Sequence, residues 1–369
     1  MSTTAHALQV VVYRSAAELP PDVLQLLAQH EEATLQFGPA WWRNLEAQVF
    51  AGHAGRAYFV LRADGTPIAV LPLLLSGGAL HRQAAALANY YSCLYEPALA
   101  PGIDAEVLAT LFVAVRKHLG ATHSLRLAPM NPDGRAFAVV ERALALAGFG
   151  TERYFCFGNW YLQAPASWAD YLASREGKLR STIKRMKQRL ATEEGHIEII
   201  ADAANLERGI AAYETVYAQS WKVPEPSPGF MPGLMALCAA RGAMRLGLVW
   251  LKGQPIAAQF WIVSHGRAEI YKVAYDEAYK SHSPGTVLTA HMLQQVLEQD
   301  GVHEVDYLIG DDPYKKNWMS HRRERWGLMA YNRHTPLGLA LLLAARIKRQ
   351  VKPWVSRLKA VMPSTAKPA

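Results

Sequence analysis

The sequence predicts an α/β chain of two domains in tandem, each a mixed (α+β) sheet flanked by helices, and three observations predict it. A β-rich run, an Asp64-Gly65-Thr66-Pro67 turn and a second β-rich run read as a hairpin over residues 57–75. Residues 244–263 repeat that hairpin around Lys252-Gly253-Gln254-Pro255. Each hairpin is followed by the same order: an aromatic-rich segment, a helix (107–119; 286–299), a strand (124–127; 304–309), a further helix and a last strand (156–162; 325–332). A repeat of roughly 180 residues is far longer than a solenoid unit and reads as an internal duplication. The length of 369 residues suits two domains. The expected bounds are 1–165 and 166–333, with a basic amphipathic tail over 334–369.

The remaining elements follow from pattern. Residues 8–13 (Leu-Gln-Val-Val-Val-Tyr) read as a strand, 20–29 as a helix with Leu24, Leu27 and Ala28 on one face, and 41–45 as the start of a short helix. Leu179, Ile183, Met186 and Leu190 recur at helical spacing, with Lys178, Arg180, Lys184, Arg185, Lys187 and Arg189 on the other faces. That helix suits either a solvated surface with snorkelling side chains or a cationic wall for a phosphate-rich ligand. The proline-rich stretch 223–232 reads as a loop able to act as a lid. In the tail, a short apolar run (337–345) leads into a basic stretch, which suits a helix packed on the body or one lying on an anionic membrane face; 363–369 is expected to be disordered.

Composition excludes several classes. Half the residues are hydrophobic and 19% are charged, so the chain is not disordered. The net charge of +8 is concentrated: residues 175–189, 315–325 and 346–359 together carry +16, leaving about −8 elsewhere, unlike a generally basic nucleic-acid binder. Cys93, Cys156 and Cys238 are sparse and show no C-x-x-C spacing, and the thirteen histidines are scattered, so no metal site is expected. Without a secretory pattern at the start or an apolar span of about 18 residues, a cytoplasmic location is expected, with peripheral contact at the inner membrane face left open. G-x-S-x-G, H-E-x-x-H, G-x-x-x-x-G-K-[ST] and G-x-G-x-x-G are all missing, which argues against hydrolase, metalloprotease, kinase and dinucleotide chemistry.

Chemistry concentrates between Tyr271 and Trp318. A strand through Lys272 and Tyr275 is followed by Ser283-Pro284-Gly285-Thr286, in which Ser283 is suited to cap a helix, Pro284 to begin it and Gly285 to admit a ligand close to the backbone. A helix start of this kind favours an anion. The next strand, expected over 302–309, brings Asp306, Asp311 and Tyr314 to the same end. Two parallel strands around such a helix must pair or diverge about whatever binds between them.

In this order Tyr275-Asp276, Tyr279, Ser283-Pro284-Gly285, Asp306, Gly310, Tyr314-Lys315 and Trp318 resemble the GNAT superfamily, and more narrowly the BioF2-like or CelD-type acetyltransferase domain, related to the FemAB peptidyltransferases. Ser220-Trp221-Lys222 and the basic helix at 178–190 fit the same group, and the detailed likeness covers about 170–332. It departs from the usual Arg/Gln-x-x-Gly-x-Gly/Ala loop, since 279–285 holds one glycine. The resemblance implies an acyltransferase that moves an acyl group, acetyl in the simplest case, from acyl-CoA as co-substrate, with no tightly bound cofactor, to an amine or hydroxyl of a sugar or polysaccharide precursor. Lys272, Ser283, Gly285, Thr286 and Lys315 would then hold the donor, with its phosphate on the Gly285 and Thr286 N–H groups. Asp306 would act as base or orient the acceptor, or be a strand-end carboxylate paired with Lys or Arg. Tyr314 or Tyr275 would protonate the leaving group. Trp221, Lys222, Asp311, Trp318, Arg180 and Arg185 would line the acceptor side. Two other readings stay open: a FemAB-like transferase that uses aminoacyl-tRNA, and a non-catalytic subunit of a polysaccharide assembly complex.

Overall fold

A computed structural model describes residues 7–78, 82–118, 120 and 122–361; the tail end expected to be disordered, 363–369, lies outside them. In chain order the elements are β1 (Leu8–Tyr13), α1 (Pro21–His30), α2 (Pro39–Gln48), β2 (Arg56–Ala63), β3 (Thr66–Ser76), β4 (Arg82–Ala86), β5 (Ala98–Leu99), α3 (Ala105–His118), β6 (Thr122–Met130), α4 (Arg135–Leu146), β7 (Phe149–Gln163) and α5 (Trp168–Ala173). They continue as α6 (Gly177–Thr192), β8 (Gly195–Ile200), α7 (Leu206–Ala218), α8 (Phe230–Ala240), β9 (Met244–Leu251), β10 (Gln254–Ser264), β11 (Arg267–Tyr275), α9 (Pro284–Glu298), β12 (Glu304–Asp306), α10 (Lys315–Trp318), β13 (His321–Asn332) and α11 (Pro336–Val361).

The order strand, two helices, three antiparallel strands, helix, strand occurs twice, from β1 and from β8. In the first unit β1, β2, β3 and β4 pair antiparallel in sequence, β4 pairs parallel with β6 across α3, and β6 pairs antiparallel with residues 326–331 of β13. In the second unit β8, β9, β10 and β11 pair antiparallel, β11 pairs parallel with β12 across α9, and β12 pairs antiparallel with residues 161–163 of β7. Each unit therefore takes its last strand from the other half of the sequence. That is why the compact units, 1–26 with 54–156 and 326–369, and 27–53 with 157–325, interleave instead of meeting at residue 165.

The second unit's core joins α6 and α9 to one face of its sheet. Ile183, Met186 and Leu190 of α6 and Val287, Leu288, Met292, Leu293 and Val296 of α9 pack with Val249, Ala257, Trp261 and Ile270. The helical spacing read for α6 is thus its buried stripe, and its basic residues Arg180 and Arg185 point to solvent. Helix α8 starts at Phe230, so the proline-rich loop is shorter than expected; Pro232 sits in the helix's first turn, where a missing N–H costs nothing. The strand expected over 302–309 is confined to Glu304–Asp306. Asp306 Oδ1 accepts the Leu308 N–H at 2.7 Å, and Leu308 adopts a left-handed backbone (φ 52°), which turns the chain out of the sheet.

Candidate active site

β11 and β12 pair only as far as Glu269↔Asp306, yet β11 runs on to Tyr275. The strands part there, and at their mouth lies a cavity of about 460 Å³. Its walls come from β11 (Val273, Ala274, Tyr275), the first turns of α9 (Gly285, Thr286, Thr289) and the segment after β12 (Tyr307, Tyr314, Asn317, Trp318), with Gln259, Leu179 and Trp221 completing it. Every described lining residue is uncharged.

Hydrogen bonds fix these walls. Gln259 Nε2 donates to Thr289 Oγ1 at 2.8 Å and to the Gly285 carbonyl at 3.1 Å, while its Oε1 accepts from Trp261 Nε1 at 2.9 Å, so β10 fastens the start of α9. Buried Tyr171 donates to the Trp318 carbonyl at 2.9 Å. Trp221, half exposed, packs against Tyr275 with ring centroids 4.7 Å apart. Buried Lys315 donates from Nζ to the carbonyls of Ile309 (2.5 Å) and Tyr307 (3.3 Å) and lies over the Tyr307 ring. One ammonium thus gathers the loop that presents Tyr307 and Tyr314. Gly310, at φ 107°, sits in the same clamp, where an added Cβ would lie 3.3 Å from Lys315 Nζ. Burial pushes the Tyr314 phenol up to about 12, with the Asp312 charge adding to it, so the phenol keeps its proton at neutral pH.

Of the residues expected at the site, the structure gathers Tyr275, Gly285, Thr286, Tyr314, Trp221 and Trp318 around one cavity and places the others elsewhere. Asp306, expected as base, is buried away from it: its carboxylate takes the Arg323 guanidinium, the Asn159 side-chain amide and the Leu308 N–H. It is the paired strand-end carboxylate. Asp311 is held by Arg322 (2.7 Å) and the Trp160 indole (2.7 Å), and the Arg322 hydrogen bonds keep its carboxyl below the usual range. Ser283 makes no side-chain cap; its left-handed backbone (φ 46°) closes a tight turn whose carbonyl takes the Thr286 N–H at 3.0 Å. An anion cradle on two N–H groups is therefore reduced to that of Gly285. Lys272 is buried against Glu225 (2.8 Å), and Lys315 acts on the loop, not on the cavity. Arg180 and Arg185 are exposed outside the lining.

Lys222 lines a second cavity, of about 340 Å³, with Tyr213, Tyr217, Glu225 and Met231. Glu225 Oε2 is buried there without a hydrogen-bond partner among the described residues. Burial, then the neighbouring Lys272 charge, holds the Lys222 ammonium below its usual range.

Sequence reasoning missed Gln259, Thr289, Tyr307 and Asn317. Two of these left a signal: Gln259 is the one polar residue in the run Ile256–Val263, and Thr289 lies one helical turn after Gly285.

Glu269, beside Asp306 in the ladder, is fully buried; it accepts a 3.0 Å hydrogen bond from Thr34 Oγ1, and Oε2 has no partner among the described residues. Burial first, and the Asp306 charge second, raise its carboxyl to about 7. The folded state then holds a proton that the unfolded chain releases near pH 4.5. Its contribution is full below about pH 4.5 and is lost as pH rises to about 7, in total about 3 kcal/mol. Urea melts at pH 5 and pH 8 should show this loss in the wild type and a clearly smaller one in Glu269→Gln; equal slopes would mean that Glu269 ionises normally.

Residues 177–316 match the acetyltransferase (GNAT) domain family. Among solved structures, FemX is similar at 12% identity with a TM-score of 0.56, over 85% of this chain and 98% of that one. L-PGS from Bacillus licheniformis is similar at 12% identity and a TM-score of 0.53, over 89% and 96%. The C-terminal domain of a protein assigned as a lysylphosphatidylglycerol synthetase from Agrobacterium fabrum is similar at 12% identity and 0.52, over 90% and 97%. At these identities the likeness is one of fold. No curated protein matches the chain. Residues 177–316 therefore carry the match to the acetyltransferase (GNAT) domain family, and the chain shares its fold with FemX over 85% of its length.

Proposed function

We propose that the cavity where β11 and β12 part seats the thioester end of an acyl-CoA, acetyl-CoA in the simplest case, and passes its acyl group to an amine. The uncharged, aromatic lining carries this reading: it suits an acyl chain and its neutral thioester arm, not a phosphate. The acyl carbonyl would accept a backbone N–H from the edge of β11 that β12 leaves after Asp306. The amine nitrogen attacks the carbonyl, the C–N bond forms and the C–S bond breaks. Tyr314 gives its proton to the departing sulfur and recovers one from solvent, while the former amine releases its own to solvent. A neutral amine needs no base at the site, which favours it over a sugar hydroxyl. The second cavity supports an acceptor read by Lys222 and Glu225, and an amino sugar of a polysaccharide precursor is one such acceptor.

The test is release of free CoA thiol from acetyl-CoA on mixing with a panel of amino sugars and amino acids. Tyr314→Phe should lower kcat about a hundredfold or more and leave donor Kd within about threefold. An unchanged kcat would remove Tyr314 from the chemistry. One observation favours a second reading, transfer from aminoacyl-tRNA: the exposed basic residues of α6, Lys178, Arg180, Lys184 and Arg185. Bulk tRNA that binds with a steep salt dependence, in place of acetyl-CoA, would select it. A chain that binds neither would be a non-catalytic subunit.

A further inference from the structure

Helix α11 packs on the first unit through one narrow side. Leu342 is 2% exposed and touches the place where a Gly150 Cβ would be, Gly338 lies against the Asn332 carbonyl, and Arg346 and Arg349 both reach Glu152, at 3.4 and 2.8 Å. The opposite side is apolar and open. Leu339, Leu343, Ile347 and Val351 follow one another at intervals of four, each between 43% and 61% exposed, and Leu337, Ala340 and Ala344 are exposed beside them. A surface helix of a globular body turns such a stripe inward; here it faces away. Basic residues flank the stripe, Arg346 on one side and Lys348 on the other, and 346–359 holds six basic residues and no acid.

We infer that α11 lies in the interface of an anionic lipid membrane, its apolar stripe among the acyl chains and its flanking cations on the headgroups. The charge pattern selects this occupant. Exposed Lys348 stands where a helix lying flat places a snorkelling side chain, and the basic run meets negative charge of the lipid surface. No helix among the described residues is long and apolar enough to cross a membrane, so the contact is peripheral. This inference is independent of the transfer reading.

Co-sedimentation of the full chain with vesicles tests it. The wild type should sediment with mixed phosphatidylcholine–phosphatidylglycerol vesicles, far less with pure phosphatidylcholine, and less again at high salt. Leu343→Glu combined with Ile347→Glu should cut vesicle binding about tenfold or more, with far-UV circular dichroism and Tm unchanged, because both side chains point to solvent in the free protein. A wild type that stays in solution with both vesicles, or a double variant that sediments like the wild type, overturns the inference. So does a wild-type dimer that this variant turns into a monomer, which would assign the face to a second copy of the chain.

Discussion

Arg323→Met is expected to cost about 3–5 kcal/mol of folding stability, measured by urea denaturation of the wild type and the variant at neutral pH. The guanidinium serves several partners at once: it bonds buried Asp306, donates to buried Asn159 Oδ1 at 2.8 Å, lies 2.9 Å from Glu304 Oε1 and stacks on Tyr161 at 4.3 Å. Asp306 is 3% exposed. Without the arginine its charge stays in a low-dielectric site with only neutral donors, and the loss comes from that uncompensated carboxylate more than from the pair itself. The double variant Arg323→Met with Asp306→Asn should therefore be more stable than Arg323→Met alone, because the residues are coupled. A single variant within about 1 kcal/mol of the wild type would show that the network adds little.

The second large effect concerns Gly285. In its position at the start of α9 an added Cβ would meet only the Tyr275 ring, at 3.4 Å, an ordinary contact. Gly285→Ala should fold and bind donor nearly as well as the wild type. Gly285→Val should also fold, but its two methyl groups add bulk beside the Tyr275 ring in the cavity wall. Loss of donor affinity of about a hundredfold or more is expected, on the order of 3 kcal/mol, with little change in Tm.

The fold was legible because its elements carry strong local signals. Both hairpins were marked by their turns, α6 by apolar spacing and α9 by its Ser283-Pro284-Gly285 start. The interleaving of the units was not, because a strand's sequence says which faces are apolar but not which partner its edge takes; the ends of β7 and β13 read alike as β-rich runs. At the site, Gly285, Tyr275, Tyr314 and Trp318 could be found from motif order. Asp306 misled because a carboxylate at a strand end looks the same whether it faces a ligand or a guanidinium, and Arg323 lies 17 residues away in a basic run that gives no sign of burial. Ser283 misled for a subtler reason. Ser-Pro-Gly is the pattern of a capped helix, yet Ser283 also ends the preceding turn (Glu277–His282) with a left-handed backbone, and its hydroxyl makes no cap hydrogen bond. Lys315 was assigned to phosphate from its charge, whereas the backbone around Leu308 and Gly310 uses that charge to hold its own carbonyls.

Isothermal titration of acetyl-CoA into the wild type, Gly285→Ala and Gly285→Val is the most direct test of the donor cavity. Saturable binding by the wild type and the alanine variant, with about a hundredfold loss in the folded valine variant, is the expected result. Equal affinity for all three would place the donor elsewhere on the chain, and no heat from the wild type would contradict the assignment outright.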